Sequence, residues 1–366
     1  GYDGSMHLGK FLTQKVTGAL KELVAAQCLT FEDGNIAPTT FGRIATMYYV
    51  SYRTITTFVL RIKKEATARE VLGWLADASE YNNHPVRHED DTYCEQLSHH
   101  VRYGETVTTF DNPHTKVFIL LCAHLDHQTL PIVDFVLDTK TVLDQCIRVL
   151  QAFVDVAAER GIFECVALGI RTLQMIASGR WADDSQLLSL VHITTSHLAH
   201  FSREGVSTLP QLLALPHERL ERLLHALRLN QKQSADLLRQ VEQFPRVSIT
   251  VSGPSEPVNL DDQIADITVS LKRIGTPPEF AFLPYFPKQK QEGWYIVIVR
   301  PNGAVAACAP ASTGTPAASA ARSSVSSVES GAAEESASSA LTASFSRQTS
   351  RLLSHTPPGS SVLSAS

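Results

Sequence analysis

Three polar residues in the middle of the chain have the types and the spacing to contact a nucleic acid. Thr141, Gln145 and Arg148 stand at positions i, i+4 and i+7, which places them on one face of a helix. The row combines a hydroxyl and an amide, which donate and accept hydrogen bonds, with a permanently charged guanidinium. Such a face can line a nucleic-acid channel, and a solvated surface face is the simpler alternative. The spacing therefore makes these three residues a candidate nucleic-acid-facing stripe.

The stretch from Asp138 to Gly161 must form the helix that positions this stripe. Its apolar residues recur at three- and four-residue steps, the spacing of a wide hydrophobic helix face. They are Val142, Leu143, Ile147, Leu150, Phe153, Val154 and Ala157. Gly161 stands where such a helix is expected to end. The pattern predicts the central helix of an all-α domain.

Composition limits where a nucleic acid can bind. The 366 residues include 32 Lys and Arg against 37 Asp and Glu, so the chain has no global basic field. Any nucleic-acid contact must therefore be local. No run of about 18 apolar residues occurs, which predicts that no segment spans a membrane. A chain that starts at Gly1 without a signal peptide is expected to be a piece of a longer one.

The cysteines and the polar connector bear on metal binding. The six cysteines form no CxxC pair and lie mostly within apolar helical patterns, which predicts reduced core residues. They are Cys28, Cys94, Cys122, Cys146, Cys165 and Cys308. The connector Ser79–Asp91 carries His and acidic residues without the HExxH spacing or another defined ligand set. We therefore predict no metal site.

Two α-helical parts are expected in the first half of the chain. Residues 1–40 are predicted to be the C-terminal part of a winged helix, because an amphipathic helix over 8–27 precedes a hairpin over 29–36. The hairpin is centred on Asp33-Gly34, a dipeptide that suits a tight turn. Residues 41–185 are predicted to form a helical bundle around the long central helix.

Local signals mark where the helices of this bundle begin. The segment Pro38-Thr39-Thr40 opens the first of them, and Thr67 to Glu70 forms a capping box. Asp111-Asn112-Pro113 starts a helix that is expected to end near Leu130-Pro131, directly before the central helix.

The pattern changes twice beyond the bundle. Residues 186–245 are predicted to form a compact helix-loop-helix unit with a small core. That core would contain Ile193, Leu198, Phe201, Val206, Leu209, Leu212, Leu213, Leu223, Leu224 and Leu227. Over residues 246–308 the period switches to two, as at Trp294 to Val299, which predicts a partial immunoglobulin-like β-sandwich. Residues 309–366 are rich in Ser and Ala and are predicted to be a disordered tail.

Several short segments, in a fixed order along the chain, carry a family resemblance. They are Tyr48-Tyr49 with Tyr52, Ser79-Glu80-Tyr81, Pro85 to Asp90, Asn112-Pro113-His114, Ala123-His124-Leu125, Gln151 to Val156, Trp181, and Phe286-Pro287-Lys288 through Trp294. Over about residues 6–300 the chain resembles the Sec-63 homology module of Ski-2-like RNA helicases, with the spliceosomal members matching most closely.

The resemblance implies a non-catalytic accessory module of a spliceosomal helicase, which supports the helicase core, guides RNA and docks proteins in pre-mRNA splicing. The central helix is similar to the family's ratchet helix, which lies along the single strand leaving the motor; Thr141, Gln145 and Arg148 would then face RNA. The implied partners are the helicase core of the same chain, spliceosomal proteins and single-stranded RNA, with no membrane. ATP and Mg would belong to the parent core, this chain would hold no cofactor, and the location would be the nucleus.

Other functions stay open at this point. The connector PVRHEDD resembles that of the second, C-terminal helicase cassette, a degenerate motor that serves mainly as a protein-docking platform. A pure protein-interaction scaffold without RNA contact is therefore one alternative. The similar module of the nuclear helicases of transcriptional coactivation is another. Because no GxxxxGK[ST] loop is present, the chain alone is predicted to have no ATPase activity.

Overall fold

The computed structural model describes residues 4–32, 34–252, 267–274, 278–300, 302–312 and 321–323, with side chains throughout except at 4–7, 267–271, 309–312 and 321–323. This part of the chain is mainly helical, as the sequence predicts. Its α-helices are α1 Gly4–Ala25, α2 Thr40–Met47, α3 Tyr52–Arg61, α4 Ala68–Ala76, α5 Asp90–Ser98, α6 Pro113–Leu125, α7 Val133–Glu159, α8 Phe163–Ser178, α9 Thr195–Arg203, α10 Leu209–Leu213, α11 His217–Ala226 and α12 Gln231–Gln243. Its strands are β1 Leu29–Glu32, β2 Asn35–Pro38, β3 Arg246–Ser252, β4 Ile267–Ile274, β5 Gly293–Val299, β6 Val305–Ser312 and β7 Ala321–Ser323.

The chain divides into two compact units, Gly1–Gly179 and Arg180–Ser366. The first unit begins with α1 and the hairpin of β1 and β2, which are antiparallel. Gly34 supplies the positive φ of +81° that the turn requires, so the predicted hairpin is confirmed. Helices α2 to α8 make up the rest of this unit.

The predicted helix starts in this unit are confirmed by their caps. The side chain of Thr39 accepts a hydrogen bond from the amide of Gly42 at the start of α2. Thr67 and Glu70 form the expected capping box at α4. Asn112 caps α6 by accepting from the amide of His114 at 2.8 Å. Each side chain satisfies an amide that the first helical turn leaves without an intrahelical partner.

Helix α6 ends earlier than the sequence predicts, at Leu125 rather than near Leu130. His127 adopts a left-handed φ of 52°, and the amide of Gln128 donates to the carbonyl of Ala123 at 2.9 Å. This is a C-terminal turn in which a left-handed residue closes the helix. The apolar pattern could not reveal it, because no glycine marks the position.

The core of the first unit is centred on Phe153 of α7. Its ring meets that of Phe58 edge to face at 5.3 Å and lies 6.1 Å from the ring of Trp74. Helix α8 approaches closely because Gly169 has no side chain: a Cβ there would lie 2.8 Å from side-chain atoms of both Phe153 and Val154. The apolar stripe predicted for the central helix is therefore the face around which the bundle packs.

The second unit begins with helices packed around a leucine-rich cluster. All ten predicted core residues belong to it: eight are buried, and Leu198 and Leu213 are partly buried against them. Further buried members, which the sequence did not single out, are Leu187, Leu188, Leu190, Leu220, Leu237 and Val241. This confirms a small hydrophobic core in this part of the chain.

The strands that follow are antiparallel, as the alternating pattern predicts. Strand β4 pairs with β3 and with β7, and β5 pairs with β6. A buried ion pair joins Arg273 to Glu292 at 2.8 Å, and the indole of Trp294 donates to the same carboxylate at 3.0 Å. Two described pieces of the predicted disordered tail are strands: β6 continues to Ser312, past the predicted boundary at 308, and β7 pairs with β4. The rest of that tail, 313–320 and 324–366, lies outside the described residues.

Candidate nucleic-acid interface

Helix α7 carries the predicted stripe and is longer than predicted at its start. It begins at Val133 instead of Asp138. The additional residues include Phe135, which is fully buried. Asp138 is buried as well, and a carboxylate within the buried face interrupts the apolar periodicity on which the prediction depended. At the other end the prediction is confirmed, since Arg160 caps the helix and Gly161 has a φ of +71°.

The three stripe residues lie along one side of α7 but differ in their surroundings. Thr141 is exposed, and its hydroxyl donates to the carbonyl of Leu137 at 3.1 Å. Gln145 and Arg148 are half-buried, and the amide oxygen of Gln145 accepts from Nε of Arg148 at 2.9 Å and also from Nη2. The structure thus brings two of the three residues into direct contact, with the third one turn away.

Arg148 also holds the end of a neighbouring helix. Its Nη1 donates to the carbonyl of Tyr48 at 3.3 Å and to the carbonyl of Tyr49. Those carbonyls belong to the turn that closes α2, where the last carbonyls lack intrahelical partners. A guanidinium at this place satisfies them and complements the negative end of the helix dipole.

The turn closing α2 has the hydrogen bonds of a Schellman motif. The amide of Tyr49 donates to the carbonyl of Thr46 at 3.3 Å, and the amide of Val50 donates to that of Ala45 at 2.8 Å. Tyr49 stands at the left-handed position, with a φ of 55°, where glycine is the usual residue. Its side chain is 88% exposed, so packing does not explain why a tyrosine stands there.

A second bond from α7 fixes the same turn. The hydroxyl of Tyr48 donates to Oδ2 of the half-buried Asp155 at 2.7 Å. Burial raises the pKa of Asp155 above its ordinary value, and the bond from Tyr48 offsets part of that rise. Because of this bond and those of Arg148, the polar side of α7 contacts the end of α2 in addition to facing solvent.

The start of α7 is anchored by a buried ion cluster, defined here as Lys116, Asp90, Asp138 and Arg87. The ammonium of Lys116 is fully buried and donates to Oδ2 of Asp90 and Oδ2 of Asp138, each at 2.6 Å. It also donates to the carbonyl of Pro85 at 2.9 Å. The cluster therefore joins the connector, α6 and α7 at one point.

Arg87 closes the outer side of the ion cluster. It donates to both carboxylate oxygens of Asp138, at 2.6 and 3.2 Å, and lies 3.3 Å from Oδ2 of Asp134. Burial raises the pKa of Asp138, but the hydrogen bonds from Arg87 and Lys116 outweigh it and leave that pKa below its ordinary value. Asp138 is thus held as a carboxylate with two cations against it.

Asp90 of the connector is therefore engaged by cations of the protein itself, and Glu80 accepts from the amide of Ser51 and the hydroxyl of Thr54. No group of three or more His, Cys, Asp or Glu side chains suited to a metal ion occurs in the part of the chain that the structure describes. His84, beside the ion cluster, is buried with a lowered pKa because burial disfavours its charged form. Within the same described part, its Nε2 has no hydrogen-bond partner.

Neither the ion cluster nor the exposed ring of Tyr49 was predicted from the sequence. A signal for the ion cluster was available, because Lys116 directly precedes an apolar run, Val117 to Cys122, in α6. A lysine beside such a run is either at its surface or paired. No local signal indicates that Tyr49 has a positive φ, since that depends on the turn.

None of the helices among the described residues is both long enough and apolar enough to cross a membrane.

The sequence of this chain matches a known protein family. Residues 38–309 match the Sec63 Brl domain family, and the chain belongs to that family. The predicted relationship to Ski-2-like helicases is thereby confirmed at the level of the family.

Individual relatives have moderate identities. The chain is 34% identical to activating signal cointegrator 1 complex subunit 3 of Homo sapiens, over 80% of this chain and 15% of that protein. It is 34% identical to the DExH-box ATP-dependent RNA helicase DExH14 of Arabidopsis thaliana, over 79% and 13%. Identity to the U5 small nuclear ribonucleoprotein 200 kDa helicase of Homo sapiens is 29%, over 80% and 14%. The chain thus spans only about one-seventh of the length of these relatives.

Proposed function

We propose that this chain is the non-catalytic accessory module of a Ski-2-like RNA helicase, which supports the helicase core and guides single-stranded RNA. The observation that carries the proposal is the family match over residues 38–309, together with relatives that include a named ATP-dependent RNA helicase. The core would be part of the same polypeptide and would hold ATP and Mg, with no cofactor in this module.

The RNA path in this proposal runs along α7. Thr141 has an exposed hydroxyl. Gln145 and Arg148 contact each other, and the parts of their half-buried side chains that remain exposed would face the RNA. Because the chain as a whole is slightly acidic, RNA would be held by this local surface and not by a general field. A pure protein-docking role without RNA is the competing proposal.

The finer architecture belongs to the same proposal. We assign residues 1–40 to the latter part of a winged helix, 41–185 to the helical bundle, 186–245 to a helix-loop-helix domain, 246–308 to a partial immunoglobulin-like domain and 309–366 to a tail. The antiparallel pairing of β3 with β4 and of β5 with β6 supports an immunoglobulin-like arrangement.

Two nuclear assemblies are candidates for the parent helicase. The matching segments favour a spliceosomal helicase acting with spliceosomal proteins in pre-mRNA splicing. Overall identity is slightly higher for the subunit of the activating signal cointegrator 1 complex, at 34% against 29%. Immunoprecipitation of the tagged parent from nuclei separates the two, because only the spliceosomal protein would recover U5 RNA.

The accessory role is tested on the parent polypeptide. The reading frame preceding Gly1 is expected to encode a GxxxxGK[ST] loop, and the isolated chain is expected to hydrolyse no ATP with or without RNA. Removing residues 1–366 from the parent should abolish productive unwinding. A frame without such a loop, or RNA-stimulated turnover by the pure chain, would contradict the proposal.

A further inference from the structure

We propose that the ring of Tyr49 is a stacking platform for one nucleobase of single-stranded RNA. This deepens the proposed function and rests on it. The platform consists of an exposed aromatic side chain, a backbone turn that fixes its direction, and a guanidinium that holds the turn. All three belong to the end of α2 and the facing side of α7.

The first argument is that Tyr49 stands where folding alone favours another residue. A left-handed residue that closes a Schellman motif is usually glycine, because any Cβ is unfavourable at positive φ. Seven non-glycine residues of the described part of the chain have a positive φ, and most of them are exposed, so the conformation alone does not distinguish Tyr49. What distinguishes it is the large ring: the other tyrosine of this set, Tyr103, is half-buried, whereas Tyr49 is 88% exposed. Folding therefore gives no reason for an aromatic ring at this position.

The second argument is that the turn is rigidly held. Arg148 donates to the carbonyls on both sides of the Tyr48-Tyr49 peptide, and the hydroxyl of Tyr48 is bound to Asp155. Gln145 in turn accepts from the guanidinium of Arg148. The backbone that carries the ring is therefore fixed before any ligand arrives, and stacking has to order only the side chain of Tyr49 itself.

The third argument concerns the chemistry of the occupant. Between Gly34 and Lys64 the sequence contains no Asp or Glu, although the whole chain is acidic. The carboxylates that other elements bring to this segment accept hydrogen bonds from its own groups, Asp155 from Tyr48, Glu80 from Ser51 and Glu22 from Tyr52. The exposed Arg43 lies on α2 itself, and Arg148 adds a second cation behind the turn. Stacking on an aromatic ring with cations nearby is the usual way in which proteins bind single strands without reading their sequence.

The test uses the 366-residue chain and a fluorescein-labelled single-stranded oligouridylate, with affinity measured by fluorescence anisotropy over a range of salt concentrations. Tyr49→Gly should weaken binding about tenfold, the scale of one lost base stack. Its thermal midpoint should not fall, since glycine suits the turn. Tyr49→Phe should bind within about twofold of the original chain. Leu60→Ala is the control, because that side chain is 79% exposed on α3.

The salt dependence separates stacking from charge. Tyr49→Gly should leave the slope of log affinity against log salt unchanged, whereas Arg43→Met should flatten it by about one unit or less. Equal affinities for Tyr49→Gly and the original chain would overturn the inference. The inference would also be overturned if the original chain bound no oligouridylate. That result would not contradict the proposal that the chain is an accessory module. Loss of binding to the purified helicase core in Tyr49→Gly, with RNA affinity unchanged, would make the ring a protein contact instead.

Discussion

The two points at which α7 is tied to its neighbours differ in burial and in charge. Near its start, Asp138 shares the fully buried ammonium of Lys116 with Asp90. Three turns further on, the half-buried Arg148 donates to the neutral carbonyls of Tyr48 and Tyr49 and to the amide oxygen of Gln145. A buried charge must be compensated for the chain to fold, whereas a partly solvated guanidinium can also bind a ligand. The first point therefore serves folding, and the second is where we propose that RNA binds.

The largest effect is expected from removing the central cation of the ion cluster. Lys116→Met leaves Asp90 and Asp138 buried with only Arg87 beside them, and should cost about 3–5 kcal/mol of unfolding free energy. Urea unfolding measures it. Lys140→Met is the control, at an exposed lysine of α7, and should change stability by no more than about 0.5 kcal/mol. If both variants are equally stable, the cluster does not anchor α7.

Acid should weaken the attachment of α7 at the ion cluster. The folded-state pKa of Asp138 is lowered, so its contribution is fully present above the unfolded value of about 3.9 and is lost as pH falls through the folded value. In Asp138→Asn this part of the acid dependence should be missing. Unfolding free energies of both chains between about pH 2 and 5 provide the check, and parallel curves would show that Asp138 is not stabilised as a carboxylate.

A smaller loss is expected at the second point. Arg148→Met removes the donors to the carbonyls of Tyr48 and Tyr49, and should cost about 1–2 kcal/mol because the guanidinium is partly solvated. Arg160→Met makes the same change at the exposed end of α7 and should be nearly neutral. RNA affinity and its salt slope should fall in the Arg148 variant only. Stability loss without any change in RNA binding would favour the protein-docking alternative.

The smallest effect belongs to Thr141. Its hydroxyl bonds only within its own helix, so Thr141→Ala should alter stability by no more than about 0.5 kcal/mol. On the proposed RNA path it should still weaken oligouridylate binding, by a few-fold and without a change of salt slope. A thermal shift of several degrees would mean that the exposed part of the stripe has a structural role that its contacts do not indicate.

Helix starts and the hairpin were predictable because their causes are local. Thr39, Thr67 and Asn112 cap helices through bonds that span two or three residues, and Gly34 meets the requirement of its turn. The predictions for the end of α6 and the start of α7 were wrong, because both lie earlier in the chain than the sequence indicated. Both depend on groups whose partners or backbone conformation no short window of sequence reveals.

What the sequence determined by itself is the mainly helical class, the apolar face of α7 and the family. These follow from periodicity, local caps and segments distributed along the chain. Only the tertiary structure decided the surroundings of the polar side chains. Lys116 pairs with the carboxylates of Asp90 and Asp138, which are 26 and 22 residues away in the sequence. Arg148 donates to the carbonyl of Tyr48, which is 100 residues away. Such pairs form because folding buries polar groups from distant parts of the chain next to one another. Each buried group then needs a hydrogen-bond partner, and its spatial neighbours provide it.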